Sequence, residues 1–205
     1  MGETLHRLRA LLAAPTSAGE PGFDPSGVWV LEYQVATKAK VPVVGVLKAK
    51  TTNVVLVQLE YDGDVWTQHH LLCLSETRSA VVKSELPPRF LARVGPRQYP
   101  VSFTLDAQVS RYEADTGAFT TGYDPSCGEL PEDPDDPCVT DWDADGHAGA
   151  TARVKPPMFP WAEVYVAQRN HITLQGKVVA PDRIEGRVKV VTLKTRILGA
   201  SHPRY

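Results

Sequence analysis

The sequence predicts an all-β protein: a single antiparallel up-and-down β-barrel of about eight or nine strands, with a short N-terminal helix and a long acidic loop. Three observations predict it. Apolar and polar residues alternate with period two through most of the chain, the pattern of strands with one face buried. Seventeen prolines and fifteen glycines punctuate that pattern at the spacing of turns. Beyond residue 13 no stretch of any length carries helical spacing. Consecutive strands joined by short turns make a barrel or a sandwich, and closing a meander of this length removes its exposed edges.

In chain order, Leu5, Leu8 and Leu12 recur at helical spacing behind Thr4, so residues 3–13 read as a short amphipathic helix. Residues 16–26 are small and rich in Pro and Gly, a linker. Residues 1–26 thus precede a β-barrel domain at 27–205, with the acidic loop inserted at 124–151. The first strand is VWVLEYQVAT, with Trp29, Leu31, Tyr33 and Val35 alternating against Val30, Glu32 and Gln34. Strands follow at 41–50 and 53–61, separated by Thr51 and Thr52. Asp62-Gly63 is the signal of a two-residue hairpin into VWTQHHLLCLS. Residues 78–84 form another short strand. Pro87, Pro88, Pro96 and Pro100 make the next stretch irregular before YPVSFTLDAQVSRY resumes the alternation. After the acidic loop come AEVYVAQR, HITLQGKVVA, a turn at Pro181-Asp182, and RIEGRVKVVTL.

Composition excludes several classes. With 205 residues, 42% of them hydrophobic and 22% charged, the chain can bury a real core. A net charge of −2 and the absence of a basic patch interleaved with aromatics argue against a nucleic-acid partner. No apolar run approaches the roughly 18 residues of a membrane-spanning helix. The sequence leaves the oligomeric state open.

The most distinctive stretch is residues 124–151, DPSCGELPEDPDDPCVTDWDADGHAGAT. Eight carboxylates lie between Glu129 and Asp145, leaving 16 of the chain's 24 acids against 22 Lys plus Arg elsewhere. So many carboxylates in one loop repel one another unless a cation neutralises them or the loop stays solvated. Asp141, Asp143, Asp145 and Gly146 spell D-x-D-x-D-G, the spacing of an oxygen cage with a sharp turn at the glycine. The expected ligand set for a structural Ca2+ is Asp141, Asp143, Asp145 and the carbonyl of His147, completed from Asp133, Asp135 or Asp136. A full EF-hand is excluded, because its last ligand position falls on Ala152; the spacing resembles thrombospondin-type and dockerin-like calcium loops instead. Cys127 and Cys138 flank the acids with no zinc-finger spacing around them, so a loop-closing disulfide is expected. Cys73, between leucines, reads as a buried free thiol.

A disulfide implies an extracytoplasmic protein, periplasmic or secreted. No signal peptide is visible, since Arg7 and Arg9 fall where an apolar core would be needed; the chain then reads as a mature form, the alternative being a cytosolic protein with reduced cysteines.

Gly27-x-Trp29 at the head of the first strand, followed by a meander of about eight strands, resembles the lipocalin and calycin superfamily. That resemblance implies a Trp29 plug at one barrel end, with a late arginine, Arg187 or Arg196, packed across it. The last third of the chain, with VTDWDADGHAGATARV, VYVAQR and RIEGRV, is also similar to uncharacterised extracytoplasmic proteins of predatory soil bacteria, a resemblance that implies no activity.

For the interior, Trp29, Tyr33, Trp66 and Phe103 are the candidate lining for a small apolar ligand, although aromatics on strands also simply fill cores. Glu32, Gln34, Gln58, Glu60, Gln68 and Gln175 recur at alternate positions and face either solvent or a cavity. His69 and His70 are adjacent, so only one of them points inward, with Gln68 or Gln34 beside it. No Ser-His-Asp order, G-x-S-x-G, H-E-x-x-H or P-loop is present, and no catalytic residue is assigned. The expected function is an extracytoplasmic binding protein for a small apolar molecule, with a structural calcium loop. The alternatives are a filled-barrel interaction module, and a cyclase or isomerase on the same scaffold. An open apolar interior favours the first, a packed one the second, and a cavity holding a buried Glu or His against a partner the third.

Overall fold

A computed structural model describes residues 7–14, 24–41, 45–105, 110–156 and 158–202. The ten strands among them are β1 (Arg7–Ala14), β2 (Gly27–Val41), β3 (Gly45–Tyr61), β4 (Trp66–Ser79), β5 (Lys83–Glu85), β6 (Pro96–Leu105), β7 (Ser110–Thr121), β8 (Ala150–Lys155), β9 (Ala162–Ala180) and β10 (Arg183–Ala200). The one α-helix described is α1 (Pro88–Val94). The strands form one antiparallel sheet closed into a ring, β1-β2-β3-β4-β6-β7-β9-β10 and back to β1. Closure is made by strands from opposite ends of the chain, with Leu8 opposite Gly186 and Ala10 opposite Ile184. A second connection, β5 to β8, joins the far half of β4 to the near half of β9.

Alternation reads correctly along β2: Trp29, Leu31 and Val35 are buried while Val30 and Glu32 are exposed. Around the ring the inward residues divide the interior in two. In one half, Trp29, Leu31, Val55, Val57, Leu59, Tyr112, Leu174 and Ile184 pack into a single apolar core. In the other half Thr, Ser, Asn and Gln join apolar residues at the inward positions, and the interior stays open. Among the described residues β2 beyond Gln34 pairs with β3 alone, and β10 beyond Gly186 pairs with β9 alone.

Several local expectations are corrected. The N-terminal segment is a strand where it is described: Leu8 and Ala10 enter the core, Leu11 faces out, and the segment pairs with β2 on one side and β10 on the other. Two open sheet edges outweigh a modest helix preference; Leu5 of the expected helix, and residues 16–23 of the expected linker, lie outside the described residues. The irregular proline-rich stretch contains α1, whose Pro87 and Pro88 pre-set the first turn, whose Phe90 is buried, and which ends at Gly95 at a φ of 60°. Residues 45–61 are one strand, not two, and 162–180 likewise. The Asp62 turn spans four residues, since Tyr61 pairs with Trp66, and the Asp62 carboxylate accepts the N–H groups of Asp64 and Val65. The turn at Pro181-Asp182 joins β9 to β10 as expected.

Cys73 is free but exposed. It occupies a bulge in β4, where Val54 pairs with Leu74 and Val55 with Leu72. The extra residue reverses the inward parity, so that Gln68, His70 and Leu72 point in before the bulge and Ser75 and Thr77 after it.

Candidate functional site

The open half of the ring encloses a cavity of about 320 Å³, close to ten water volumes and at the small end for organic ligands. Apolar lining comes from residues such as Leu72, Phe90, Phe119 and Ile172, and polar lining from Thr51, Asn53, Thr77, Gln168 and Asn170. Three side chains give it electrostatic character: Tyr33, His70 and Arg97.

At the floor of the cavity, where it meets the packed core, a chain of buried polar groups crosses the interior. The Tyr112 hydroxyl donates to Gln68 Oε1 (2.5 Å), Gln68 Nε2 donates to the Tyr99 hydroxyl (2.8 Å), and that hydroxyl contacts His70 Nδ1 (2.5 Å). The direction is assigned from the available acceptors: the Tyr99 oxygen accepts the amide N–H, and His70 Nδ1 is the acceptor within reach of the buried Tyr99 proton, an arrangement that places the ring's own proton on Nε2. Gln68 is wholly buried, and an amide there is tolerated because both of its ends are partnered. Desolvation by burial, with the nearby Arg97 charge, lowers the His70 pKa to about 4. Burial raises Tyr33 to about 12, and carries Tyr99 and Tyr112 higher still. All four groups are neutral near pH 7.

Arg97, the second residue of β6, lies directly opposite His70 of β4. Its Nη2 donates to the Thr116 carbonyl (2.7 Å), and its guanidinium lies over the Phe119 ring, 4.5 Å from the centroid. A planar guanidinium pinned in both ways is pre-oriented.

Of the aromatic residues singled out in the sequence, Tyr33 lines this cavity. Trp29 lies in the packed half, its Nε1 donating to the Pro25 carbonyl (2.9 Å). Trp66 and Phe103 meet edge to face there (5.3 Å between centroids). Arg187 bonds Gln175, and Arg196 bonds Glu132. Strand parity required one inward histidine; it is His70, while His69 faces out to Glu60 (3.2 Å). Tyr99, Arg97 and Tyr112 are the members that sequence reasoning missed. They lie on β6 and β7, and only the pairing of those strands with β4 and β9 brings them to Gln68 and His70.

The acidic loop folds onto the outside of the β8–β9 end. The Cys127–Cys138 disulfide closes it, with Cα atoms 6.2 Å apart, a cross-link that stabilises by on the order of 2–3 kcal/mol in the chain-entropy description. Tyr123 bridges to Val139, Asp141 bridges to Gly149, and Tyr123 packs against Leu130 and Val139.

Asp141, Asp143 and Asp145 each direct a carboxylate oxygen to a common place, the three atoms lying within 4.8 Å of one another. Asp141 also accepts the N–H groups of Asp145 and Gly146 (both 2.9 Å), a tight turn that needs Gly146 at a φ of 87°. Asp143 is buried; desolvation and then the Asp145 charge push its carboxyl above the usual carboxylate range. Arg89 of α1 reaches Asp145 (2.8 Å), Asp143 (3.6 Å) and Glu163 (3.3 Å), so one guanidinium faces three carboxylates. Asp133 and Asp136 instead bind their own loop, accepting the N–H groups of Asp135 and Cys138, and none of Asp133, Asp135 and Asp136 belongs to the cluster. The His147 ring stacks on Tyr165 (4.2 Å).

The described residues contain no helix long and apolar enough to cross a membrane. No protein-family model, no curated protein sequence and no solved structure matches this chain.

Proposed function

We propose that the chain is an extracytoplasmic binding protein: a lipocalin-like β-barrel that holds a small molecule in its open half and carries a structural calcium ion on its acidic loop. The observation that carries the reading is the 320 Å³ interior cavity. A protein needing only a stable ring would fill that volume, because unfilled core space costs stability in proportion to its size. The disulfide supports an oxidising compartment. The lining is more polar than an apolar ligand requires, so the ligand is amphipathic.

A second reading, an isomerase or cyclase, is favoured by the buried His70 held against Tyr99 at the cavity wall. Binding is preferred, because a histidine with a pKa near 4 is a weak general base at neutral pH and the described lining contains no carboxylate to assist it.

For the loop, oxygen-only donors and a buried carboxylate raised by desolvation suit a hard cation, and calcium tolerates the irregular cage that three aspartates and loop carbonyls offer. A calcium ion would neutralise the cluster more fully than Arg89 alone. Native mass spectrometry of the purified chain, with and without EGTA, tests both parts. The expected spectrum shows a co-purified small molecule in either condition and one calcium that EGTA removes. At a hundredfold excess over Kd, calcium should stabilise by about 2.7 kcal/mol, and Asp143→Ala should abolish that increment. A spectrum of bare chain in both conditions, with coincident thermal melts, overturns the reading.

A further inference from the structure

We infer that the cavity is built for an organic anion, whose charged group seats against the Arg97 guanidinium and the His70 Nε2 proton. The inference rests on the binding reading above and adds the chemical class of the ligand.

Arg97 is the one charged side chain in the described lining, which holds no aspartate or glutamate. The titratable groups that face it, Tyr33 and Tyr99, have pKa values raised by burial and stay neutral, so neither is its counter-ion. Burial of a guanidinium is costly unless its charge and donors are met. Its partners among the described residues are one carbonyl, that of Thr116, and the Phe119 ring. A guanidinium has five N–H donors, so donors remain for another acceptor. Half-buried, pinned on Thr116 and Phe119 and lacking a carboxylate, Arg97 is poised for a planar carboxylate or sulfonate.

The second donor follows from the hydrogen-bond direction across the floor. With the Tyr99 proton assigned to Nδ1, the His70 ring carries Nε2–H as a neutral donor, and His70 pairs directly with Arg97 across β4 and β6. A cation beside a neutral donor, with no acid in the described lining, disfavours a cationic ligand and leaves a neutral one without a use for the charge. The surrounding mixture of Phe119, Ile172, Thr51 and Asn170 suits a partly apolar, partly hydrogen-bonding body.

Two fluorescent probes of the same skeleton test the inference, 1-anilinonaphthalene-8-sulfonate and N-phenyl-1-naphthylamine, which differ by the sulfonate. The wild-type chain should bind the sulfonate at least about tenfold more tightly, the range expected of a charged hydrogen bond out of water. Arg97→Gln should collapse that ratio to near one while leaving the amine's affinity unchanged, and Arg97→Lys should keep part of it. The wild-type ratio is informative even if a variant folds poorly. Equal wild-type affinities, or a ratio that survives Arg97→Gln, overturn the anion inference and leave the cavity a binding site. Failure of both probes to bind overturns the binding reading as well.

Discussion

Gly186→Ala is expected to cost at least about 4 kcal/mol, enough to leave little folded protein. Gly186 of β10 faces Gly176 of β9 on one side and Leu8 of β1 on the other. A Cβ at residue 186 would stand 2.0 Å from the Gln175 carbonyl oxygen, 2.6 Å from the Gly176 Cα and 2.8 Å from the Gln175 carbonyl carbon. All three are backbone atoms, so no side chain can rotate away. The strands must part instead, at the position where the last strand meets the first, and glycine inside a strand marks such a close approach. Gly63→Ala is the matched control: its φ of 100° is strained for alanine, but no atom lies within 4 Å of the added carbon, so about 1 kcal/mol is expected. Urea unfolding of both variants decides the matter; a Gly186→Ala chain within about 1 kcal/mol of wild type would show that the ring tolerates separation here.

Acid should destabilise the protein between about pH 6.5 and pH 4, by up to about 3 kcal/mol, through His70. The unfolded chain takes up a proton at this histidine near pH 6.5, whereas the folded chain resists it until about pH 4. Across that window the unfolded state binds more protons, so stability rises with pH, is complete above the upper limit, and falls as pH drops through it. Protonation also turns Nδ1 from an acceptor into a donor, leaving the Tyr99 proton without its partner. The lowered carboxyls of Asp62, Glu76, Asp115 and Asp124 are expected to lose their stabilisation below their ordinary values, at the acid end of the range. Asp143, raised by burial, acts in the opposite sense, since its protonation removes a buried charge that stands beside Asp145. His70→Asn keeps an acceptor for Tyr99 and removes the titration. Denaturant unfolding at pH 7.5 and 4.5 should show a much smaller difference for the variant; equal differences would remove His70 from the account.

Much of the fold was legible because burial imposes a period on sequence. The alternation through Trp29, Leu31 and Val35 identified β2, and the D-x-D-x-D-G spacing marked residues whose carboxylates do converge. The paired cysteines are bridged as their setting suggested. What escaped were features decided by partners distant in sequence. Leu8 and Ala10 carry too short a pattern to distinguish strand from helix until β2 and β10 supply hydrogen bonds on both sides. Cys73 is turned outward by a bulge that only the β3–β4 register creates. Arg89 and Arg97 were unremarkable basic residues in a proline-rich stretch. The helix carries one to the aspartates and the β4–β6 pairing sets the other in the cavity wall.

The pairing of β1 with β10 also governs how the chain must acquire its structure. During synthesis β2, β3 and β4 can form a meander as they leave the ribosome, since each pairs with its sequence neighbour. β1 then keeps one unsatisfied edge until the final strand arrives, and so does β9. Joining the two requires a contact spanning nearly the whole sequence, which places folding at the slow, millisecond-to-second end for small domains. A nascent chain cut before Arg183 therefore presents two open edges at once, the condition under which strands pair with other copies rather than with their own.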